Sequence, residues 1–179
     1  MSLTYFYPLF MSLTKSHPVW TCAESPFEVK KAVTMANMLS GRYVTDHRAR
    51  HWSATNPQGN CQLCMLEKFP ETPGTLEHLL LCCPALAEVR KDCTSLWSAY
   101  MVDKSFLLPI VSKHTVNPGE CCRNSNMQIL LDPTSCPLVI AAVQQMGPGI
   151  LSHLMYLSRT WCSAHHLRRR RILKLYNVL

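Results

Sequence analysis

The sequence predicts a mainly α-helical chain, in which a small metal-binding knuckle is followed by helices and by an irregular loop rich in cysteine and proline. Two observations predict this class. Apolar residues recur at spacings of three and four residues in several segments, which is the period of an amphipathic helix. Between these segments, cysteine and histidine residues are spaced as metal ligands are, and turn-forming residues interrupt the helical pattern.

These patterns divide the chain into four predicted parts. We expect a poorly ordered leader over residues 1–23, because aromatic residues and prolines there follow no sustained period. Residues 24–103 are predicted to form a helix and the metal-binding module, and residues 104–136 to form the loop. Residues 137–179 are predicted to form C-terminal helices with a basic end.

The first predicted helix runs from about Pro26 to Leu39. Ser25 is suited to cap its N-terminus, Pro26 suits its first turn, and Gly41 ends it. The residues expected to face the core recur at helical spacing. They are Val29, Ala32, Val33, Ala36 and Leu39.

Two further helices are predicted close to the candidate metal ligands. Thr75 can cap a short helix that carries His78. Pro84 can begin a second helix, which we expect to end before Lys104. The apolar side of that helix comprises Leu86, Val89, Leu96, Trp97 and Tyr100.

The C-terminal part is predicted as two helices separated by a break. Pro137 opens the first helix, and Gly147-Pro148-Gly149 interrupts it. The second helix runs from about Ile150 to Leu175 and ends in basic residues. Its apolar side comprises Leu151, Leu154, Leu157, Trp161 and Ile172.

One complete set of candidate metal ligands lies in the middle of the chain. Cys61 and Cys64 are followed by His78 and then by Cys83, in the pattern C-x2-C-x13-H-x4-C. Four soft or borderline ligands suit tetrahedral zinc, and a fully occupied shell indicates one structural zinc ion rather than a catalytic one. Cys82 competes with Cys83 as the fourth ligand. We favour Cys83, because a residue before proline leaves the helical conformation and can turn its sulfur towards the metal.

An alternative interpretation needs no metal. In that case the paired cysteines are reduced thiols and the histidine lies on a helix surface. A second metal site is not predicted, because His114, Cys121 and Cys122 have no evident fourth ligand.

Charge and composition limit the partners and the compartment. The chain has 18 Lys and Arg against 11 Asp and Glu, a formal charge of +7, which favours an anionic partner such as nucleic acid. No segment reaches the roughly 18 consecutive apolar residues of a membrane helix, and no secretory signal is evident, so we expect no membrane partner. We therefore expect an intracellular protein, in the nucleus or cytoplasm, where cysteines bind metal or stay reduced.

Two basic segments supply candidate contacts to RNA or single-stranded DNA. Arginines can pair with phosphates, and an aromatic ring can stack on an unpaired base. The candidate residues are Arg42, Tyr43, Arg48, Arg50, Arg168, Arg169, Arg170 and Arg171. Burial in the core is the alternative for two neighbouring aromatic residues, equally balanced for Tyr43 and favoured for Trp52.

Several stretches of the chain resemble a known family: MLSGRY (38–43), CQLC (61–64), TPGTLEHLLLCCPAL (72–86) and LSRTWC (157–162). They are similar to the region downstream of the polymerase in non-LTR (LINE-type) retrotransposon reverse transcriptases, the reverse transcriptase zinc-binding domain. The resemblance extends from about Val33 to the C-terminus and implies that the four candidate ligands bind zinc. It also implies that the module helps the polymerase region of a parent polyprotein to hold its nucleic-acid template.

Catalytic motifs of those elements are missing from the sequence. The polymerase signature, a Tyr-x-Asp-Asp turn, does not occur, and the one Glu-x-Lys, at residues 28–30, has no preceding Pro-Asp such as the associated nuclease would need. We therefore predict no enzyme but a non-catalytic, zinc-binding accessory module that contacts nucleic acid. One alternative is a zinc-supported protein-interaction module that uses Trp97, Tyr100 and Trp161, and another is the product of a decayed element without selected function.

Overall fold

The computed structural model of the chain describes residues 18–20, 23–101, 130–133 and 149–178. The elements in these ranges are a 3-10 turn (Pro18–Trp20), α1 (Pro26–Leu39), α2 (Asp46–Ala49), α3 (Gln62–Leu66), a π turn (His78–Cys82), a second 3-10 turn (Pro84–Leu86), α4 (Ala87–Met101) and α5 (Gly149–Leu175). Across the described ranges, extended pairing is limited to an isolated antiparallel bridge between Asn60 and Pro73. The predicted mainly α-helical class is confirmed.

Two units make up the chain, and each is described by itself. The first comprises Met1–Tyr43 with Gln128–Ser163, and the second comprises Val44–Met127 with Ala164–Leu179. Among the described elements, α1, the 3-10 turn before it and the N-terminal part of α5 belong to the first unit. The second unit contains α2, α3, the π turn, α4 and the C-terminal part of α5.

Local capping sets the limits of α1, as the sequence predicts. The Ser25 hydroxyl accepts a hydrogen bond from the N–H of Glu28 at 3.2 Å, and Pro26 lies in the first turn. After the other end, Gly41 has a φ of +68°, which costs glycine little because it has no Cβ. The predicted bounds Pro26–Leu39 are confirmed.

The buried face of α1 differs from the predicted apolar stripe. Ala32, Met35 and Met38 are buried, whereas Val29 and Val33, which the stripe includes, are 40% and 43% exposed. The row that packs is an i, i+3, i+6 row ending in two methionines, which fill irregular gaps because their side chains are long and flexible. Two apolar rows lie side by side on this helix, and periodicity alone cannot choose between them.

A buried lysine joins α1 to α5 in the first unit. Lys31 Nζ lies 2.8 Å from Glu28 Oε1 and 3.4 Å from Thr160 Oγ1 of α5. The same nitrogen lies 4.6 Å from the centroid of the Phe27 ring and 5.0 Å from that of Tyr156. The ion pair and the cation–π contacts offset the cost of removing the ammonium group from water.

Part of the predicted leader packs in the first unit. Arg159 of α5 is fully buried, and its Nη1 donates to the carbonyl of Val19 at 2.9 Å. Val19 is itself buried, so the 3-10 turn Pro18–Trp20 has a defined place although it lies within residues 1–23. The rest of this predicted leader, apart from residue 23, lies outside the described residues.

α5 agrees closely with its prediction. It begins at Gly149, one residue before the predicted start, and ends at Leu175 as predicted. The buried members of its predicted stripe are Leu154, Leu157, Trp161 and Ile172. Among the described residues, no helix has the combination of length and apolarity that crossing a bilayer requires.

α4 follows the second 3-10 turn directly. Leu86 and Cys93 are buried, whereas Leu96, predicted to lie on the same apolar side, is 51% exposed. The predicted end of this helix before Lys104 lies outside the described residues. So do the helix predicted from Pro137 and most of the loop predicted over 104–136.

Replacing Met35 with alanine should lower the free energy of unfolding by about 2–5 kcal/mol, because truncating a fully buried side chain leaves a cavity. Val33→Ala truncates a side chain of the same helix that is 43% exposed, so we expect a change of only about 0.5 kcal/mol. Denaturant unfolding followed by circular dichroism measures both values. Equal losses in the two variants would contradict the buried face of α1.

Candidate metal centre

Four potential metal ligands meet inside the second unit. The sulfurs of Cys61, Cys64 and Cys83 and a ring nitrogen of His78 all lie within 4.8 Å of one another. The three cysteines are fully buried and His78 is 3% exposed. The residues that the sequence selects as ligands are thus close together and could bind one metal ion.

The separations between ligand atoms fit a tetrahedral site. Metal–sulfur bonds of about 2.3 Å and metal–nitrogen bonds of about 2.0 Å at tetrahedral angles place sulfurs about 3.8 Å apart, and sulfur and nitrogen about 3.5 Å apart. Cys83 Sγ lies 3.9 Å from Cys61 Sγ and 3.7 Å from Cys64 Sγ. Cys64 Sγ lies 3.3 Å from His78 Nε2. The sulfurs are too far apart for a disulfide, which needs about 2.0 Å, and the described cysteines form none.

The first two ligands come from a tight turn that leads into α3. Cys61 has a non-helical ψ of 111°, and its carbonyl accepts a hydrogen bond from the N–H of Met65 at 3.1 Å. Cys64 follows three residues later, one helical turn along, so both sulfurs lie on one side of α3. The N–H of Cys61 donates to the carbonyl of Thr72 at 2.7 Å, which joins this turn to the segment that returns after α3.

The second pair of ligands comes from the π turn. Thr75 Oγ1 accepts a hydrogen bond from the N–H of His78 at 3.1 Å, which confirms Thr75 as the cap of this segment. Residues five apart in an α-helix point about 140° away from each other. Here the N–H of Cys83 donates to the carbonyl of His78 at 2.6 Å, the i to i+5 bond of a π turn. The wider turn reduces that angle, so both side chains reach the same point.

Cys83, and not Cys82, belongs to the ligand cluster. Cys83 leaves the helical conformation with a φ of −58° and a ψ of 116°, directly before Pro84, as predicted for a residue that precedes proline. Cys82 is only half-buried and lies outside the cluster. The choice that the sequence left open is therefore decided by the backbone at Pro84.

Burial and neighbouring sulfurs shift the pKa values of the cysteines in opposite directions. The hydrogen bond with Cys83 lowers the pKa of Cys61 to about 4. Burial, and then the charge on Cys61, raise the pKa of Cys64 to about 12. The hydrogen bond to Cys61, followed by burial, raises the pKa of Cys83. Without a cation, the cluster therefore stabilises one thiolate, and a metal that binds all three sulfurs must displace the protons of the other two.

A buried carboxylate, which has little signal in the sequence, supports the cluster. Asp46 is 4% exposed, its Oδ2 accepts a hydrogen bond from the N–H of Gln62 at 3.1 Å, and its Oδ1 lies 2.9 Å from Arg169 Nη2. Burial raises the pKa of Asp46, and Arg169 and the Gln62 N–H partly oppose that shift. The sequence signal was slight: Asp46 is the single acidic residue between Arg42 and Trp52.

Two glycines permit close packing around the ligand turn. Gly59 has a φ of +69°, and a Cβ there would lie 2.7 Å from the Cα of His47. A Cβ on Gly74 would lie 2.6 Å from Asp46 Cβ and 3.1 Å from the Cα of Cys61. All three separations are below the ordinary van der Waals separation of about 3.5–4.0 Å, so a side chain at either glycine would displace its neighbours.

The predicted basic residues lie in different environments. Five are exposed: Arg42, Arg48, Arg50, Arg170 and Arg171. The Arg168 side chain is 38% exposed and lies 3.8 Å from Glu88. Arg169 differs, because its side chain is 15% exposed, its Nη2 binds Asp46, and its Nη1 donates to the carbonyl of Val44 at 3.2 Å. These contacts occupy the guanidinium group and remove Arg169 from the predicted nucleic-acid contacts.

The aromatic residues correct two interpretations of the sequence. Trp52 is 65% exposed, so the interpretation that favoured its burial is wrong. Trp161 is buried in the first unit and is not accessible to a protein partner. Tyr43 is half-buried and, like Arg42, belongs to the first unit. The side chains of Trp97 and Tyr100 lie outside the described residues.

Comparison of the chain with known protein families, with curated proteins and with solved structures returned no match. The resemblance to the reverse transcriptase zinc-binding domain therefore stays a prediction. The ligand cluster stands independently of it, because it follows from the positions of the four side chains.

Serine in place of Cys61, Cys64 or Cys83 should abolish binding of one metal ion per chain, because a hydroxyl is a poor replacement for a thiolate in a soft site. Cys82→Ser is the matched control, since Cys82 adjoins Cys83 but lies outside the cluster, and it should retain the metal. Elemental analysis of the purified variants measures the metal content. Loss of metal in Cys82→Ser with retention in Cys83→Ser would contradict the assignment of the fourth ligand.

Gly74→Ala should destabilise the protein by about 1–3 kcal/mol, because the new methyl group overlaps Asp46 and presses on the Cα of Cys61. Gly149→Ala is the control: nothing lies within 4 Å of a Cβ there. Thermal unfolding of metal-saturated protein compares the two. Similar melting temperatures for both variants would show that Gly74 is not required for close packing.

Proposed function

We propose that this chain is a non-catalytic nucleic-acid-binding module whose fold is stabilised by one structural zinc ion. A single observation carries the proposal: a complete, buried Cys3His cluster lies in the same unit as the segment 48–52, in which Arg48, Arg50 and Trp52 are exposed. The metal provides the scaffold, and the exposed segment provides the binding chemistry.

Zinc is the metal that this donor set suits best. Three thiolates and an imidazole select a borderline-soft ion with tetrahedral preference, and magnesium and calcium prefer oxygen ligands. All four ligands are buried, and four protein ligands fill a tetrahedral shell, which leaves no position for a reactive water. Both features support a structural role and no enzymatic activity.

The segment from Arg48 to Trp52, which covers the end of α2 and the residues after it, has the composition of a single-strand binding surface. Arg48 and Arg50 are exposed, and Trp52, 65% exposed, offers an indole ring for stacking on a base. Arg50 Nη1 lies 3.2 Å from His47 Nε2. Burial, and then the charge of Arg50, lower the pKa of His47, so at neutral pH the arginines supply positive charge here and His47 does not.

Other exposed basic residues lie in each unit. Arg170 and Arg171 are exposed in the second unit, and in the first unit Arg42 is exposed beside the half-buried Tyr43. The net charge of +7 favours attraction to phosphates over a distance. The resemblance to the reverse transcriptase zinc-binding domain supports RNA or single-stranded DNA as the ligand, the polymerase region of a parent polyprotein as a protein partner, and an intracellular location in the nucleus or cytoplasm.

A zinc-supported protein-interaction module is the competing function. A protein partner would contact Trp97, Tyr100 and Trp161 in that function, but Trp161 is buried and is therefore not accessible to it. A decayed element without selected function predicts no specific binding of either kind. Binding measurements with nucleic acid therefore separate the preferred function from both alternatives.

Charge reversal at Arg48 and Arg50 should weaken binding to single-stranded RNA and DNA and make the salt dependence shallower. Loss of two phosphate contacts reduces the log–log salt slope by roughly 1.4 for a single strand. Fluorescence anisotropy at several salt concentrations measures affinity and slope together. The control is Lys30→Glu with Lys91→Glu, which changes the net charge equally at two exposed sites elsewhere. Equal effects of the two double variants, or salt-independent binding, would refute the proposal.

The stacking role of Trp52 is tested in the same assay. Trp52→Ala should cost about 1–3 kcal/mol of single-strand affinity, whereas Trp52→Phe should keep most of it because the phenyl ring still stacks. Binding to duplex should change little, since paired bases are not available for stacking on the indole. Equal losses for single strand and duplex would assign Trp52 to the fold and not to the interface.

A further inference from the structure

A run of four arginines cannot face a single direction on a helix. Successive residues of an α-helix are rotated by about 100°, so Arg168 to Arg171 spread around most of α5. Two of them, Arg170 and Arg171, are exposed, and Arg168 is 38% exposed. Arg169 faces the interior of the second unit, where its Nη2 lies 2.9 Å from Asp46 Oδ1 and its side chain is 15% exposed.

Asp46 connects this arginine to the metal centre. One oxygen of its carboxylate binds Arg169, and the other accepts a hydrogen bond from the N–H of Gln62 at 3.1 Å. Gln62 is the first residue of α3 and directly follows the ligand Cys61. A single buried carboxylate therefore bridges the terminal helix and the turn that carries two of the metal ligands.

A second contact joins the chain just after α5 to the other end of α3. The hydroxyl of Tyr176, just after α5, donates to Glu67 Oε1 at 3.4 Å, and Glu67 is the C-cap residue of α3. The C-terminal segment is thus linked to both ends of α3: indirectly to the start, where Asp46 bridges Arg169 and the Gln62 N–H, and directly to the end, where Tyr176 contacts Glu67. α3 has only five residues, too few to be stable without tertiary support.

We propose that the metal centre controls the docking of the C-terminal arginine run, with Asp46 as the positioning residue and Arg169 as the anchor. Metal at the four ligands holds Cys61 and Cys64 in place and so keeps α3 and the Gln62 N–H where Asp46 requires them. Metal loss releases α3, the carboxylate loses this partner, and the segment from residue 164 to 178 undocks. The exposed Arg170 and Arg171 are then no longer presented in a fixed orientation.

The geometry explains why a carboxylate is needed at position 46. Burial raises the pKa of Asp46, so the site disfavours a charge unless donors compensate it. The Arg169 guanidinium group and the Gln62 N–H supply that compensation from different parts of the unit. The contact of Asp46 with either donor is therefore more stable when the other donor is also in place. This mutual dependence is what couples the metal-binding turn to the terminal helix.

Hydrogen exchange of the full chain, followed by mass spectrometry, tests this coupling. In the wild-type protein, removal of metal with a chelator should make amides of residues 164–178 exchange roughly tenfold faster or more, while residues 149–163 of the same helix stay protected in the first unit. Unchanged exchange over residues 164–178 would overturn the proposal. Equal deprotection of residues 149–163 would also overturn it, because the metal would then support the whole chain and not this contact.

A substitution at the anchor provides the second test and needs no chelator. In metal-loaded Arg169→Gln, residues 164–178 should exchange roughly tenfold faster or more, with metal content still one per chain. Arg170→Gln is the matched control on the next residue, which is exposed, and should leave exchange unchanged. Equal behaviour of the two variants would overturn the role of Arg169.

The inference rests on occupancy of the centre and not on nucleic-acid binding, so the two can fail separately. Elemental analysis shows whether the wild-type protein carries metal, and anisotropy shows whether it binds nucleic acid. A protein that binds no nucleic acid but undocks its terminal segment on metal removal would refute only the proposed function.

Discussion

The second unit depends on one electrostatic constraint, the close approach of three cysteine sulfurs in a buried site. Cys83 Sγ lies 3.7 Å and 3.9 Å from the other two sulfurs, and all three side chains are fully buried. Three thiolates at such distances repel one another. Burial chiefly raises the pKa of Cys64 and the hydrogen bond to Cys61 chiefly raises that of Cys83, and the charge on Cys61 adds to both shifts. A divalent cation converts that repulsion into attraction. Since α2 and α3 have only four and five residues, a metal bound at this site would supply a cross-link where short helices provide little packing.

Stability has a different origin in the first unit. There the helices are long enough to bury apolar rows, and Met35 of α1 and Met155 of α5 are completely buried. Its interior charges are compensated individually: Lys31 by Glu28 and aromatic rings, and Arg159 in part by the carbonyl of Val19. None of the four candidate metal ligands belongs to this unit.

The arginines of the second unit lie in two different environments. Arg169 is bound to Asp46 and to a backbone carbonyl, so its charge contributes to the fold. Arg48 and Arg50 are exposed on a segment of the same unit, where charge remains available to phosphates. Arginines of this unit thus divide between a buried, paired position and exposed positions according to the direction in which each side chain points.

Local signals in the sequence determined the bounds of α1 and the identity of the candidate metal ligands. Ser25, Pro26 and Gly41 predict the bounds of α1, and the Cys and His spacing predicts the ligand cluster, because caps and chelating turns involve residues close in the chain. Only the tertiary structure decided which apolar row of α1 is buried, that Trp52 is exposed, and that Arg169 is paired with Asp46. Those outcomes depend on contacts between residues far apart in the sequence: Asp46 and Arg169 are 123 positions apart. No local sequence pattern predicts this pairing, because aspartate and arginine are usually exposed to solvent and nothing near either residue indicates burial.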